Sequence, residues 1–274
     1  MSANILLRLS YDGTDFVGWQ RQPSSHGMSV QQLLEDSLSN IYGERIGISG
    51  AGRTDAGVHA FGACCNFRSS KPVPVEKLPL ILNNLLPAAV RVHAAQAVDD
   101  AFHARFSACG KHYRYVIEQQ AQALAFGGRY SWQLQENLDV AEMQQGAAFL
   151  LGEHDFRHYT VSGCSVKDFV RRIDTLEVRQ EDDFCGHPWQ QLSRPIVIDV
   201  VGNGFLYKMV RIIVGRLVAV GRGEIVASQM ADYIDGSFDK NIPPAPPRGL
   251  MLMKVFYPQQ YELNSDEKCL TMTD

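Results

Sequence analysis

The sequence predicts a mixed α/β protein of the α+β type, built from two ferredoxin-like or RRM-like halves whose mostly antiparallel sheets are flanked by helices. Three observations support this fold class. The N-terminal half shows strand and helix patterns in the order β-α-β-β-α-β, the split arrangement of a ferredoxin-like sheet. The C-terminal half repeats that order without repeating the sequence. A length of 274 residues allows each half its own hydrophobic core.

The elements of the N-terminal half, residues 1–107, follow from local patterns. Alternation of apolar and polar residues predicts strands. These strands lie at residues 5–10, 61–67 and 90–98. Ser29 is a predicted helix N-cap, because Gln32 completes a capping box ahead of an apolar face at helical spacing. Pro79 marks the first turn of a second helix, where a missing backbone N–H costs little.

The C-terminal half, residues 108–258, repeats the pattern. Its predicted elements are strands at residues 111–117, 171–178, 195–201 and 249–257, and a helix at residues 139–151. A further helix after Gly204 is apolar on nearly all sides, so it is expected to be buried between layers. Residues 259–274 are polar and are expected to be a disordered tail.

Composition and charge exclude several classes of protein. No apolar run approaches the ~20 residues of a membrane-spanning helix, and the N-terminus lacks a signal-peptide cleavage pattern. The six cysteines are scattered, which is typical of free thiols in a reducing cytoplasm. The net charge of −4 argues against nucleic-acid binding through a general positive field. Because residues 101–130 and 201–223 are locally basic, a polyanion is expected to bind to a cleft or stripe.

The most distinctive stretch is residues 50–60, Gly-Ala-Gly-Arg-Thr-Asp-Ala-Gly-Val-His-Ala. Its glycines indicate a loop that needs positive φ or a close backbone approach. Asp55 presents a carboxylate on this loop, and Arg53 places a guanidinium beside it. The alternative is that Asp55 only caps its own turn. The glycine spacing fits neither a dinucleotide-binding loop nor a P-loop.

The first strand of the C-terminal half carries an aromatic residue of interest. Alternation puts Tyr113 on the same face as Lys111, either as an ordinary strand tyrosine or as a phenol ring presented to a ligand. The nearby His103, Cys109 and His112 lack a fourth ligand at a usual spacing, so no metal is expected.

The apolar helix of the C-terminal half carries several cations. Lys208 and Arg211 need partners, because an unpaired buried charge costs about 3–5 kcal/mol. The simplest partner is a carboxylate from the other half, and Asp55 is the candidate. Arg216 and Arg222 are expected to reach solvent.

Several segments together resemble the tRNA pseudouridine synthase A family, and the Gly-Arg-Thr-Asp-x-Gly-Val-His segment around Asp55 is the most specific of them. The other segments, in chain order, are Tyr11-Asp-Gly-Thr14, Asn84-Leu-Leu-Pro87, Phe102-His-Ala-Arg-Phe-Ser-Ala108, Lys111-His-Tyr-Arg-Tyr115, Gly202-Asn-Gly-Phe-Leu-Tyr207, Met209-Val-Arg211 and Gly249-Leu250. The family fold is two α/β halves that face each other across a central active-site cleft, which agrees with the doubled element order.

The resemblance implies a role for each of five residues. Asp55 corresponds to the catalytic aspartate, and Tyr113 corresponds to the tyrosine that stacks on the target base. Arg211 corresponds to the arginine that pairs with the catalytic carboxylate. Arg53 corresponds to the arginine that helps to displace the target nucleotide, and Leu250 to an apolar residue that lines the site.

The resemblance also implies a reaction and its partners. Family members isomerise uridine to pseudouridine at nucleotides 38–40 in the tRNA anticodon stem-loop, by base flipping, N1–C1′ cleavage, base rotation and rejoining through C5. Asp55 would either attack a carbon or remove a sugar proton. No cofactor or metal is required, and a cytoplasmic homodimer with tRNA spanning both subunits is expected. Lys208 stands where histidine or asparagine is expected, so its role is left open.

Two other functions use parts of the same pattern. An RNA-binding module on an RRM-like scaffold would explain the basic segments, but its paired surface aromatic residues are not found. A small-molecule hydrolase or transferase could use Asp55 as its nucleophile, and it would need no basic groove. Turnover of tRNA discriminates among the three.

Overall fold

The computed structural model describes residues 3–72, 74–120, 128–161, 166–181 and 194–262. The chain forms two compact units. The first unit combines the chain up to Gly110 with the chain from Leu252 onward, and the second unit is Lys111–Met251. The predicted boundary after residue 107 therefore differs by a few residues, and most of the last strand belongs with the first half instead of the second.

The first unit follows the predicted β-α-β-β-α-β order. Its elements are β1 (Ala3–Tyr11), α1 (Val30–Tyr42), β2 (Ile48–Gly50), β3 (His59–Ser69), α2 (Leu78–Leu85) and β4 (Val90–Val98). Strand β1 is central and pairs antiparallel with β3 and with β4, while β2 pairs antiparallel with β3. The part of the last strand that lies in this unit runs beside β3. The mixed fold with an antiparallel sheet and flanking helices is confirmed here.

The second unit has a similar core and two additional short strands. Its elements are β5 (Gly110–Gln119), β6 (Trp132–Leu134), α3 (Val140–Ala148), β7 (Gly152–Asp155), β8 (Val170–Gln180), β9 (Ile196–Gly202), α4 (Met209–Gly221), α5 (Gln229–Asp235) and the start of β10 (Leu250–Phe256). Strands β5, β9, β8 and β7 are neighbours in that order and pair antiparallel, and β6 pairs parallel with β5. The short strands β6 and β7 were not predicted, because neither contains a run of alternating apolar and polar residues.

Helix α1 begins as its sequence predicts. The Ser29 side chain accepts a hydrogen bond from the backbone N–H of Gln32 at 3.1 Å, and Gly43 ends the helix in the left-handed conformation. The inward face of α1 carries Val30 and Leu34, which are fully buried. Burying each such side chain contributes about 1.5–3 kcal/mol, which holds the helix on the sheet.

Helix α4 is the buried helix that the apolar pattern predicts. Every residue of α4 except Arg211 is buried. The expectation that Arg216 reaches solvent is wrong: this side chain is 7% exposed. Its guanidinium lies 3.5 Å from the ring centroid of Tyr233 and 4.2 Å from that of Tyr159, so two aromatic faces replace water around the charge.

Two remaining expectations concern the tail and the cysteines. Most of the expected disordered tail, residues 259–274, lies outside the described residues, but Gln259–Tyr261 form a 3₁₀ turn. The described cysteines Cys64, Cys65 and Cys109 are free thiols. Cys64 and Cys65 are buried, and burial raises their pKa, so both stay protonated at neutral pH.

Candidate active site

The carboxylate of Asp55 lies on the loop between β2 and β3. The backbone C=O of Asp55 accepts a hydrogen bond from the N–H of Val58 at 3.2 Å, which closes a turn. Gly57 within this turn has φ +77°, a conformation that favours glycine. Asp55 is half-buried, and Arg53 on the same loop is exposed. A solute can therefore reach both side chains.

The loop is held in place from its buried side. Tyr11 and Thr54 join their hydroxyl groups at 2.8 Å in a buried hydrogen bond, and the backbone N–H of Trp19 donates to the C=O of Thr54 at 3.1 Å. Gly18 has φ +103°, and a Cβ there would lie 2.6 Å from the Thr54 carbonyl oxygen. The Trp19 ring is buried and packs beneath this loop with Tyr11, whose ring centroid lies 6.1 Å away.

A second support joins the ends of β1 and β3. The His59 ring is 2% exposed, and its Nδ1 lies 3.0 Å from the backbone N of Gly13 and 3.2 Å from Asp12 Oδ1. A Cβ on Gly13 would lie 2.0 Å from the Val58 carbonyl oxygen. Gly13 therefore lies directly against the loop that carries Asp55.

Tyr113 lies on β5 in the second unit and is 7% exposed. The ring of Phe205 contacts it edge-on, with centroids 5.3 Å apart and planes at 90°. Tyr115, two positions along the same strand face, is fully buried and donates its hydroxyl to the C=O of Pro246 at 2.8 Å. Burial raises the pKa of Tyr115, so this hydroxyl remains a donor.

The opposite face of β5 carries a charged cluster around Asp199. His112 Nε2 lies 2.6 Å from Asp199 Oδ1, and Arg114 donates two hydrogen bonds to the carboxylate at 2.9 and 3.0 Å. Arg179 approaches the second oxygen at 2.6 Å. Burial would raise the pKa of Asp199, but these hydrogen bonds outweigh it and hold the pKa well below its ordinary value.

Arg211 is the half-buried residue of α4. Its Nε donates to the C=O of Ala245 at 2.7 Å, and its own backbone C=O accepts from the N–H of Ala245 at 2.9 Å. These two bonds tie the proline-rich segment 243–247 to α4 and orient the guanidinium. The pairing of Arg211 with Asp55 joins the two units and stays a prediction.

Lys208 is at the N-cap of α4 with φ 60°, and among the described residues it is the one non-glycine with positive φ. Its Nζ lies 5.1 Å from the ring centroid of Tyr207. Asparagine and histidine are several-fold enriched in this left-handed region. The residue types that the resemblance predicts at this position are therefore those that tolerate its backbone.

Leu250 begins β10 and is 6% exposed. The preceding Gly249 packs against the ring of Tyr115, where a Cβ would lie 2.6 Å from Cζ. Of the predicted site residues, Asp55 and Arg53 thus belong to the first unit, and Tyr113, Arg211, Lys208 and Leu250 belong to the second.

Sequence reasoning missed the residues that support these side chains. They are Tyr11, Thr54, His59, Gly18 and Phe205. Tyr11, Thr54, His59 and Phe205 all belong to segments of the family resemblance, which is the signal that could have pointed to them. The described residues contain no group of three metal-ligating side chains, and none of their helices is long and apolar enough to cross a membrane.

Comparison with known proteins identifies the family of this chain. A family model described as tRNA pseudouridine synthase matches residues 9–107 and 147–258. The chain therefore belongs to the tRNA pseudouridine synthase family, which makes it an isomerase that acts on tRNA.

The relatives with similar sequences share one name within this family. A tRNA pseudouridine synthase A from Moorella thermoacetica is 42% identical over 92% of this chain and 98% of its own length. Proteins of the same name from Ruminiclostridium cellulolyticum and Geobacter sulfurreducens are 39% and 37% identical, over 92% of this chain and 99% and 98% of their own lengths. Among solved structures, the archaeal box H/ACA sRNP Nop10–Cbf5 complex is 12% identical with a TM-score of 0.33, over 78% of this chain and 43% of that chain. That likeness is too weak to bear on function.

Proposed function

We propose that this protein isomerises uridine to pseudouridine on the 3′ side of the tRNA anticodon stem-loop, with Asp55 as the catalytic residue. The observation that carries the proposal is the placement of Asp55. Its carboxylate is half-buried on a loop whose backbone is bonded to Trp19, and Thr54 beside it is bonded to Tyr11. A reacting group gains rate from such fixed placement, because the geometry is set before the substrate arrives.

The uridine must first leave its stack, at a cost of a few kcal/mol. Stacking on Tyr113 would return about 1–3 kcal/mol. Phe205 holds the Tyr113 ring edge-on, which fixes the plane on which a base would stack. Arg53, exposed beside Asp55, would occupy the space that the displaced nucleotide leaves or bind its phosphate. Leu250 would supply an apolar wall.

Asp55 then acts on the sugar or the base as a carboxylate. Arg211 would orient the Asp55 carboxylate through a charge-assisted hydrogen bond. The Nε of Arg211 is bonded to Ala245, which orients the guanidinium so that its terminal N–H groups can donate to a carboxylate. Lys208, at the start of the same helix, would add positive charge toward the RNA. No cofactor is needed, because the reaction involves no net redox change.

The test is pseudouridine mapping after incubation with unmodified tRNA transcript. Wild type should modify uridines of the anticodon stem-loop, and Asp55→Asn should bind the transcript but form no pseudouridine. Asp36→Asn is the matched control, because Asp36 is a 55% exposed carboxylate on α1. Wild type that binds tRNA and leaves every uridine unchanged would refute the proposal. A transcript deuterated at C2′ separates the two roles of Asp55, because only proton removal predicts a primary isotope effect.

We also infer a cytoplasmic homodimer that binds tRNA across both subunits. The basic segments at residues 101–130 and 201–223 support a groove for a polyanion. Light scattering of the purified protein should give twice the mass of one chain, and a monomer at working concentration would contradict the inference.

A further inference from the structure

The loop that follows β4 presents an aromatic ring to solvent. Phe102 and Ala104 are buried with 2% and 0% exposure, while Phe106 is 76% exposed. This is the largest exposed fraction among the large apolar side chains that the structure describes. Full burial of such a ring would contribute a few kcal/mol, as for other large apolar side chains. The exposed Phe106 ring therefore contributes nothing to the stability of the fold.

The loop is held rigidly under the exposed ring. The backbone N–H of Ala104 donates to Asn66 Oδ1 at 2.9 Å, and its C=O accepts from the Tyr257 hydroxyl at 2.7 Å. Asn66 donates to Asn4 at 2.8 Å, and Asn4 donates to the C=O of Phe102 at 3.0 Å. A buried amide network therefore fixes the backbone that carries Phe106. Little conformational entropy is lost when a ligand binds there, because the loop is already ordered.

Two polar side chains lie beside the ring. The His103 ring centroid is 4.5 Å from that of Phe106, and the Arg105 guanidinium carbon is 5.6 Å from the Phe106 centroid. His103 Nδ1 accepts a hydrogen bond from the backbone N–H of Arg105 at 3.1 Å, which leaves Nε2–H as the donor of that ring. Arg105 is exposed, and its recorded contact within the described residues is the Phe106 ring, not a carboxylate.

The nearby carboxylates are engaged elsewhere. Asp99 accepts hydrogen bonds from two backbone N–H groups and from the hydroxyl of Tyr261. Asp100 pairs with Arg68 at 3.0 Å. The loop therefore combines a fixed aromatic face with a cation that has no acidic partner in the described part of the chain. This combination suits a stacked base next to a phosphate better than an apolar protein surface.

The loop is far along the sheet from the catalytic residue. Thr54 is bonded to Tyr11 at one end of β1, whereas Ala104 is bonded through Asn66 to Asn4 at the other end. Seven residues of strand span about 23 Å. A nucleotide on Phe106 is therefore not the uridine that reacts at Asp55.

We propose that Phe106 is a stacking platform for an unpaired tRNA nucleotide other than the reacting uridine, and that Arg105 binds the phosphate beside it. This inference rests on the proposed function only in taking tRNA as the ligand. The two residues position the RNA and do not touch the reacting atoms.

The test measures binding of unmodified tRNA transcript in an Asp55→Asn background, so that it does not depend on turnover. Phe106→Leu should weaken binding roughly 5- to 150-fold, the range for one stacked base, while Phe106→Trp should bind like the parent. Arg105→Gln should lower the slope of log K against log salt by about 0.7–0.9, the value of one phosphate contact. Phe149→Leu, at a 43% exposed phenylalanine of the second unit, is the control and should change neither quantity.

With Asp55 intact, Phe106→Leu should raise KM for tRNA and leave kcat unchanged, as expected for lost uniform binding. Binding of Phe106→Leu within twofold of the parent would overturn the proposal, even if the wild type is fully active. Loss of self-association with unchanged RNA affinity would overturn it as well, because the ring would then be a protein contact. Absence of pseudouridine with wild type would refute the proposed function and leave the binding result standing.

Discussion

The hydroxyl groups of Tyr11 and Thr54 meet at 2.8 Å beneath the loop that carries Asp55, and both residues are buried. The bond joins the end of β1 to the residue that precedes the proposed catalytic carboxylate. We expect this bond to position Asp55, because it holds the residue that precedes Asp55 in the chain. This relationship is open to a direct test.

Tyr11→Phe should lower kcat for pseudouridine formation by about 10- to 100-fold, because small displacements of a reacting group cost this much. Thr54→Val should have a similar effect, and the double variant should be no worse than either single variant, since both remove one bond. Steady-state kinetics on tRNA transcript measure all three. Additive losses in the double variant would show that the two hydroxyls act independently.

Lys208→Asn should stabilise the protein by about 1 kcal/mol, because asparagine adopts the left-handed conformation at lower cost than lysine. Urea unfolding measures the difference in free energy. Lys167→Asn is the matched control, because Lys167 is exposed, and it should change stability by less than about 0.5 kcal/mol. A destabilised Lys208→Asn variant would show that the contact of the lysine with the Tyr207 ring stabilises the protein by more than the left-handed backbone conformation costs.

Asp199→Asn should destabilise the protein at pH 7 by about 3–5 kcal/mol, because the cations around it lose their buried partner. The pKa of Asp199 is lowered in the folded state, so its contribution is present above the unfolded pKa, near 4, and is lost as pH falls below that value. The stability difference from wild type should therefore shrink between pH 5 and pH 3.

Urea unfolding across that pH range measures the effect of Asp199. Asp174→Asn is the control, because Asp174 is 43% exposed in a surface pair with Arg172. Its effect should stay below about 1 kcal/mol. A difference for Asp199→Asn that is independent of pH would contradict the role of its carboxylate charge.

Arg216→Ala should destabilise the second unit by about 2–4 kcal/mol, because it removes the cation between two tyrosine rings and leaves a cavity. Arg216→Met should recover most of this loss. It fills the volume and removes the buried Nε and Nη1 donors, which have no hydrogen-bond partner among the described residues. Thermal unfolding of wild type, Arg216→Met and Arg216→Ala ranks their stabilities. A methionine variant as unstable as the alanine variant would show that the charge itself is required.

The sequence predicts features whose cause is local. Gly57 is a glycine where φ is positive, and Ser29 caps α1 as its neighbours indicate. Successive residues of a strand point to opposite faces of the sheet, so Tyr113 and His112 are predicted on opposite faces of β5, in agreement with its pairing with β9. These assignments rest on steric and hydrogen-bond rules that act within a few residues.

Features that depend on distant residues could not be predicted. Arg216 lies on a helix that is apolar all around, and only the approach of Tyr159 and Tyr233 makes burial tolerable. The network of Asn4, Asn66 and Ala104 joins three segments with no common motif. The resemblance to a family predicts Asp55 and Tyr113 as site residues, and it does not show which residues hold them.

The division of the chain has a consequence for synthesis on the ribosome. The first unit needs Leu252–Phe256 beside β3, and Gly62 of β3 is so close to Met253 that a Cβ would lie 2.4 Å from its carbonyl oxygen. On that edge β2 pairs with Cys65–Phe67 of β3, but the stretch around Gly62 has no such neighbour while Lys111–Met251 is translated, at roughly 5–20 residues per second. For roughly 7–28 s the nascent protein carries a partly open strand edge, which is a site of mispairing. The portion that bears Asp55 is made first and completed last.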